Sequence, residues 1–288
     1  VIEVGRQGAF SVNSVGWERR PFPLAFSVRE ADGLWRVRAS AARAGELVDL
    51  LVAAANDAVA VVALETNSYL DADWHPLRPS LVAAELGVPC AVHPLGSWAA
   101  GVNGLGEEFL VLDRDLLPRL LDGTWSPYEL ALIDLPAGRS AERLDELALV
   151  LGTTGVDEPL LSRLAGSRVW FSGHDDCYAF LETSDPALPA AVLARLLTLM
   201  AGAALVEGER EPLPRVPEPD PGLAEQLIAA APHWIGALVE AADRTGGEQL
   251  IAIDLAALPA PWRLGEPFPR RADVTATLDV RRGTWRLR

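Results

Sequence analysis

The most crowded set of reactive side chains in this chain is His174, Asp175, Asp176 and Cys177, with Glu182 a short way downstream. A histidine beside carboxylates can serve as a tuned general base, and a histidine with two aspartates can hold a divalent metal. Asp in a tight turn has a simpler role, because its side chain bonds the turn backbone. A second set is Glu65 followed by Asp71, Asp73 and His75. A carboxylate ending an apolar strand, with an acidic loop after it, is where α/β proteins place ligand groups. The loop lacks the glycine and closing glutamate of a calcium-binding EF-hand. A third set is Asp113, Asp134 and Asp254, each near the end of an apolar run. Were those strands parallel neighbours, the three carboxylates would meet at one edge and could grip Mg²⁺.

Other chemistry is excluded by composition. Every fixed basic side chain among the 25 is arginine, so no Schiff-base, P-loop or kinase-type lysine exists here. The Gly96 to Gly106 stretch has no GxGxxG pattern, and Glu107-Glu108 follow it directly, which repels phosphate. GxSxG, HExxH and CxxC are absent as well. No resident cofactor is expected, and a divalent metal is the one ligand these acidic sets could take.

The elements that must carry these residues follow from patterning. Leu24 to Ala39 alternates around Asp32-Gly33 and predicts a hairpin, with Trp35 and Val37 inward and Arg36 and Arg38 outward. A helix from Ser40 to about Ala55 follows, and Ala58 to Leu64 is a continuous apolar run suited to a strand buried on both faces. Helices are expected over 80–86 and after Asp113, strands over 88–92, 109–112 and 130–135, and a helix after Ser140. Arg168 to Ser172 and Cys177 to Glu182 predict a second hairpin, with a helix starting at Asp185-Pro186. The apolar run from Leu188 to Val206 is broken by Pro189, Arg195 and Gly202, so it reads as a buried helix plus a strand and not as a membrane span. Two helices are expected over 222–231 and 232–244, then a strand over 249–255 and a closing hairpin over 274–287.

These elements predict an α/β or α+β fold with a mixed sheet and packed helices. Two echoes, VREADGLWRVR with VRRGTWRLR and ELALIDLPA with QLIAIDLAA, suggest pseudo-duplicated halves, residues 1–152 and 153–288, which could also form one continuous domain. The proline- and charge-rich segment 207–222 reads as an exposed loop.

The formal charge is −15. Residues 1–43 carry +3 and residues 259–288 carry +4, which leaves −22 on the middle of the chain. Such a balance argues against nucleic acid and favours a basic protein partner. Two cysteines outside any paired motif point to a reducing cytoplasm. The expectation from sequence is a cytoplasmic interaction protein with an acidic surface, of the inhibitor, immunity-type or chaperone-like kind. The alternative is a metal-assisted hydrolase or transferase using His174 and Asp176 or the Glu65 to Asp73 loop.

Overall fold

A computed structural model describes residues 2–3, 24–40, 44–64, 78–95, 105–121, 130–136, 141–153, 160–174, 178–205, 215–239, 250–257 and 271–288. Its strands are β1 (Ile2–Glu3), β2 (Leu24–Ala31), β3 (Leu34–Ser40), β4 (Ala58–Leu64), β5 (Ala91–Pro94), β6 (Leu105–Asp113), β7 (Leu130–Leu135), β8 (Val169–His174), β9 (Tyr178–Thr183), β10 (Arg215–Val216), β11 (His233–Val239), β12 (Leu250–Ala257), β13 (Val274–Asp279) and β14 (Thr284–Leu287). The helices are α1 (Ala44–Ala54), α2 (Pro79–Glu85), α3 (Leu117–Leu120), α4 (Ala141–Thr153), α5 (Leu188–Leu205) and α6 (Pro221–Ala230).

Twelve strands form one sheet in the order β14-β13-β12-β11-β2-β3-β9-β8-β7-β4-β6-β5. Every neighbouring pair in it is antiparallel. The fold is therefore α+β. Strands β1 and β10 make a separate two-stranded ribbon. The sheet runs unbroken through both predicted halves, since β3 pairs with β9, β7 with β8, and β2 with β11.

Two hairpins sit back to back at the centre. In β2–β3 the connecting Asp32 and Gly33 both have positive φ, 57° and 75°, as a two-residue turn between right-twisting strands requires. Its second strand joins the second strand of the β8–β9 hairpin. Each hairpin leads into a helix, α1 or α5, and the two helices touch on the same face of the sheet. The resemblance between halves ends there. After α1 the chain enters β4, two places from β8, whereas after α5 it passes through β10 and α6 into β11, directly beside β2. The two "IDL" strands, β7 and β12, occupy non-equivalent places.

Strand alternation divides the core in two. Val59 and Val61 of β4 enter one cluster with α1, α2, α3, α5 and α6, while Ala58, Ala60 and Val62 enter the other with α4. The first cluster is the larger, and α5 is its centre. Leu193, Leu196, Leu197, Leu199 and Ala201 are completely buried, so this helix is apolar around most of its girth and enclosed by the sheet, α1 and α6. Burying one such leucine contributes about 1.5–3 kcal/mol. Among the described residues no helix is long and apolar enough to cross a membrane.

Three expectations change. Of the expected 232–244 helix, His233 to Val239 is a strand instead, and residues 240–244 lie outside the described residues: β11 is held between β2 and β12, and its short apolar run fits either periodicity until those partners choose. The run from Leu188 is one helix through Leu205, with Asp185 capping the turn before it by accepting from the Ala187 N–H at 2.9 Å. Of the 207–222 segment, residues 207–214 lie outside the described residues, and Val216 to Pro219 pack onto the protein. Val216 is fully buried, and the Pro217 carbonyl accepts from Trp285 Nε1 at 2.7 Å. Trp35 and Trp285 both join the sheet, half-buried against the first cluster.

Gly236 marks where β11 passes closest to its neighbours. A Cβ there would lie 2.8 Å from Leu255 Cδ2 and 3.4 Å from Leu24 Cβ, and both leucines are completely buried. Gly236→Ala should destabilise the fold by about 1–3 kcal/mol through overpacking. Urea unfolding measures it; an unchanged midpoint would show that β11 does not pack as described.

Candidate functional site

Charges inside a sheet protein are either structural or functional, so the buried ionisable side chains are where a site would first show itself. Three stand out: Asp134, Glu182 and Arg195.

Asp134, near the end of β7, is completely buried. Its Oδ1 accepts from the backbone N–H groups of Arg168 at 2.7 Å and Val169 at 2.8 Å. Its Oδ2 accepts from the Asn56 backbone N–H at 2.9 Å and from Asn56 Nδ2 at 2.5 Å. The carboxylate thus ties the turn between α1 and β4 to the start of β8. Burial pushes its pKa up, against the backbone donors that favour the ionised form. With these donors already bound to it, Asp134 is a clamp.

Glu182 of β9 is also completely buried. Its Oε1 accepts from Arg36 Nε at 3.1 Å on the adjacent strand, and its Oε2 accepts from the Leu161 N–H at 2.9 Å. Arg195 lies midway along α5 and is 5 % exposed. Its guanidinium grips both oxygens of Asp49 at 2.7 Å, donates to the Glu46 carbonyl at 2.7 Å, and donates through Nε to Glu218. This ties α1, α5 and the segment between β10 and α6 together. The Arg195 hydrogen bond is the main reason the Asp49 carboxyl is held below its usual value, while Asp49 and Glu218 raise the arginine further against the pull of burial.

The sequence-derived sites distribute as follows. His174 ends β8, in register with Tyr178, and Asp175, Asp176 and Cys177 lie outside the described residues. Glu182 is not beside that turn. It pairs with Trp170, four residues further down the hairpin, about 13 Å away along the strand. Glu65, Asp71, Asp73 and His75 lie outside the described residues, as do residues 96–104 of the glycine-rich stretch.

The three aspartates expected at one edge do not meet. Asp134 and Asp254 sit on strands six places apart, about 29 Å at the usual spacing. Asp113 flanks β4 opposite Asp134, but it is level with Ala58 while Asp134 is level with Val59, which places them on opposite faces. Asp254 instead accepts from Thr275 Oγ1 at 2.6 Å. Antiparallel pairing is the reason, since it scatters strand ends that a parallel sheet would gather. Among the described residues no three His, Cys, Asp or Glu side chains group so as to hold a metal ion.

The residues that sequence reading passed over are Arg195 and its partners. The signal was present: a single arginine inside an apolar helix needs a carboxylate brought to it. Nothing local says which one.

Arg195→Ala should cost about 1–3 kcal/mol, because it removes the buried guanidinium's bonds to Asp49, Glu218 and the Glu46 carbonyl, while the Asp49 carboxylate stays largely in solvent. Equilibrium unfolding with stability within error of wild type would contradict this. The pH dependence follows from Asp49. Its folded pKa is lowered, so the stability it adds is present above its unfolded value and lost as pH falls through the folded one. Asp49→Asn should therefore remove part of the decline in stability below about pH 4, a part limited by the side chain's exposure to solvent. Unfolding curves measured from pH 2 to 6 should show this flattening; parallel curves for variant and wild type would refute it.

No family model, curated protein or solved structure matches this chain.

Proposed function

We propose that this chain is an interaction protein that engages a basic protein partner through an acidic outer surface, in the manner of an inhibitor, an immunity-type protein or a chaperone. The observation that carries the reading is the outer stripe of α4. Leu144, Leu147, Val150 and Leu151 point into the second core cluster. The opposite side presents Glu142, Asp145 and Leu149, spaced three and four residues apart and therefore on one line. Leu149 is 56 % exposed, one of the few large apolar side chains in water among the described residues. A leucine framed by carboxylates suits a basic, amphipathic surface, with the charges guiding approach and the leucine supplying a desolvated contact. The strong negative balance of the middle of the chain extends the same attraction over the surface.

The negative balance favours a protein partner over nucleic acid, and two cysteines outside any paired motif favour a cytoplasmic encounter. The metal-assisted hydrolase or transferase reading rests on His174 with Asp175 and Asp176, and on Glu65, Asp71, Asp73 and His75, so its support is the sequence pattern alone.

The test is capture of a basic partner by the whole chain, followed by association kinetics at rising salt. The on-rate should fall as salt screens charges beyond about 8 Å. Glu142→Arg with Asp145→Arg should lower the on-rate and flatten its salt dependence, whereas Leu149→Asp should chiefly speed dissociation. Recovery of acidic partners only, or an on-rate indifferent to salt, would defeat the proposal.

A further inference from the structure

A second surface of opposite sign lies on the face of β2 and β3 turned away from the larger core cluster. Strand alternation places Arg29, Arg36 and Arg38 there together, because Leu24, Phe26, Val28, Val37 and Ala39 fill the other face. Arg29 and Arg36 stand directly opposite each other in the register. Like charges so placed weaken a sheet, and evolution has tolerated the pair in a chain with 40 carboxylates to draw on. Arg36 is partly neutralised by Glu182. Arg29 and Arg38 are exposed, and neither meets a carboxylate among the described residues. Arg38 is held in place, its guanidinium carbon 5.6 Å from the centre of the Phe180 ring. By contrast, Arg195, in the interior, is fully engaged.

We propose that Arg29, Arg36 and Arg38 form a docking surface for an extended, acidic segment of a partner protein. The site is separate from the outer stripe of α4 and does not depend on what that stripe binds. Three features favour this occupant. Arg36 and Arg38 are two residues apart on one strand, about 6.8 Å, the spacing of alternate side chains in an extended peptide. Carboxylates at every second position would therefore meet successive arginines without adjustment of either backbone. The cations stand on paired strands in the middle of the sheet, so little ordering is required on binding. The patch is also small. A nucleic acid strand would run beyond it over a protein of net charge −15, whereas a short acidic segment feels only the charges within a Debye length.

The experiment uses the whole chain with a fluorescein-labelled alternating Glu-Ser peptide as probe, read by anisotropy at low salt. An alternating Lys-Ser peptide and an oligothymidylate of equal charge serve as comparisons. The Glu-Ser peptide should bind, and the double variant R29A/R38A should weaken it by about tenfold or more. Arg282→Ala, at an exposed arginine elsewhere, should leave binding unchanged. The thermal midpoint of Arg29→Ala should be equal to or above that of wild type, because the substitution relieves the like-charge pair, and this confirms that lost binding is not lost folding. The proposal is overturned if the Glu-Ser peptide fails to bind or binds the double variant equally well. It is also overturned if oligothymidylate binds more tightly than the peptide. Dimerisation of the wild type in sedimentation that R29E/R38E abolishes would overturn it too, making a second copy the occupant.

Discussion

A strand such as β4, apolar on both faces, can exist only between two layers of cover, and much of this molecule follows from that requirement. Val59 and Val61 enter the larger cluster, where α2 lies directly against β4, and Ala60 and Val62 enter the cluster with α4. An antiparallel sheet usually leaves one face wet. Here β4, β6, β7 and β8 are covered on both, by the larger cluster, to which α1, α2 and α5 contribute, on one face and by the cluster with α4 on the other. Every polar group brought into those layers must then be satisfied internally.

The buried charges answer that need. Asp134 closes the junction of three elements by accepting N–H groups that the ends of the strands would otherwise leave unpaired. Arg195 does the same between helices, and its bonds reach the Glu46 carbonyl, Asp49 and Glu218 from a position that would otherwise be wholly apolar. Such groups add selectivity of arrangement, since only one packing of α1 against α5 brings Asp49 to the guanidinium. They are spent on architecture. What remains for recognition lies outside: carboxylates and a bare leucine on α4, and arginines on the central strands β2 and β3, beside the end of the second cluster at Leu34.

Surfaces of opposite sign on one chain give it two ways to meet charged partners. Salt screens both, but they differ in kind. The α4 stripe combines charge with an apolar contact, whereas the β2–β3 face offers cations held at the spacing of an extended chain. Both stand on regular elements backed by a core cluster, so neither surface has to be ordered before a partner arrives.

Local patterns determined the elements wherever a single periodicity or turn signal was decisive. Alternation around Asp32-Gly33 predicts β2 and β3, with Val37 inward and Arg38 outward, and the structure has them so. The run Ala58 to Leu64 and the strand Leu130 to Leu135 are likewise where their apolar residues place them. Where a short apolar run fits both periods, as from His233 to Val239, the pairing partners decided, and they made a strand of what resembles a helix. The candidate sites were less legible still. Asp134 reads as a strand-end ligand group until the distant Asn56 and Arg168 are brought to it, and Glu182 reads as part of the His174 turn until strand register carries it away. Arg195 announces only that it needs a carboxylate. Such partners are chosen by contacts between residues far apart in the chain. Local spacing holds no information on those contacts, because they exist only once the twelve strands have taken their order.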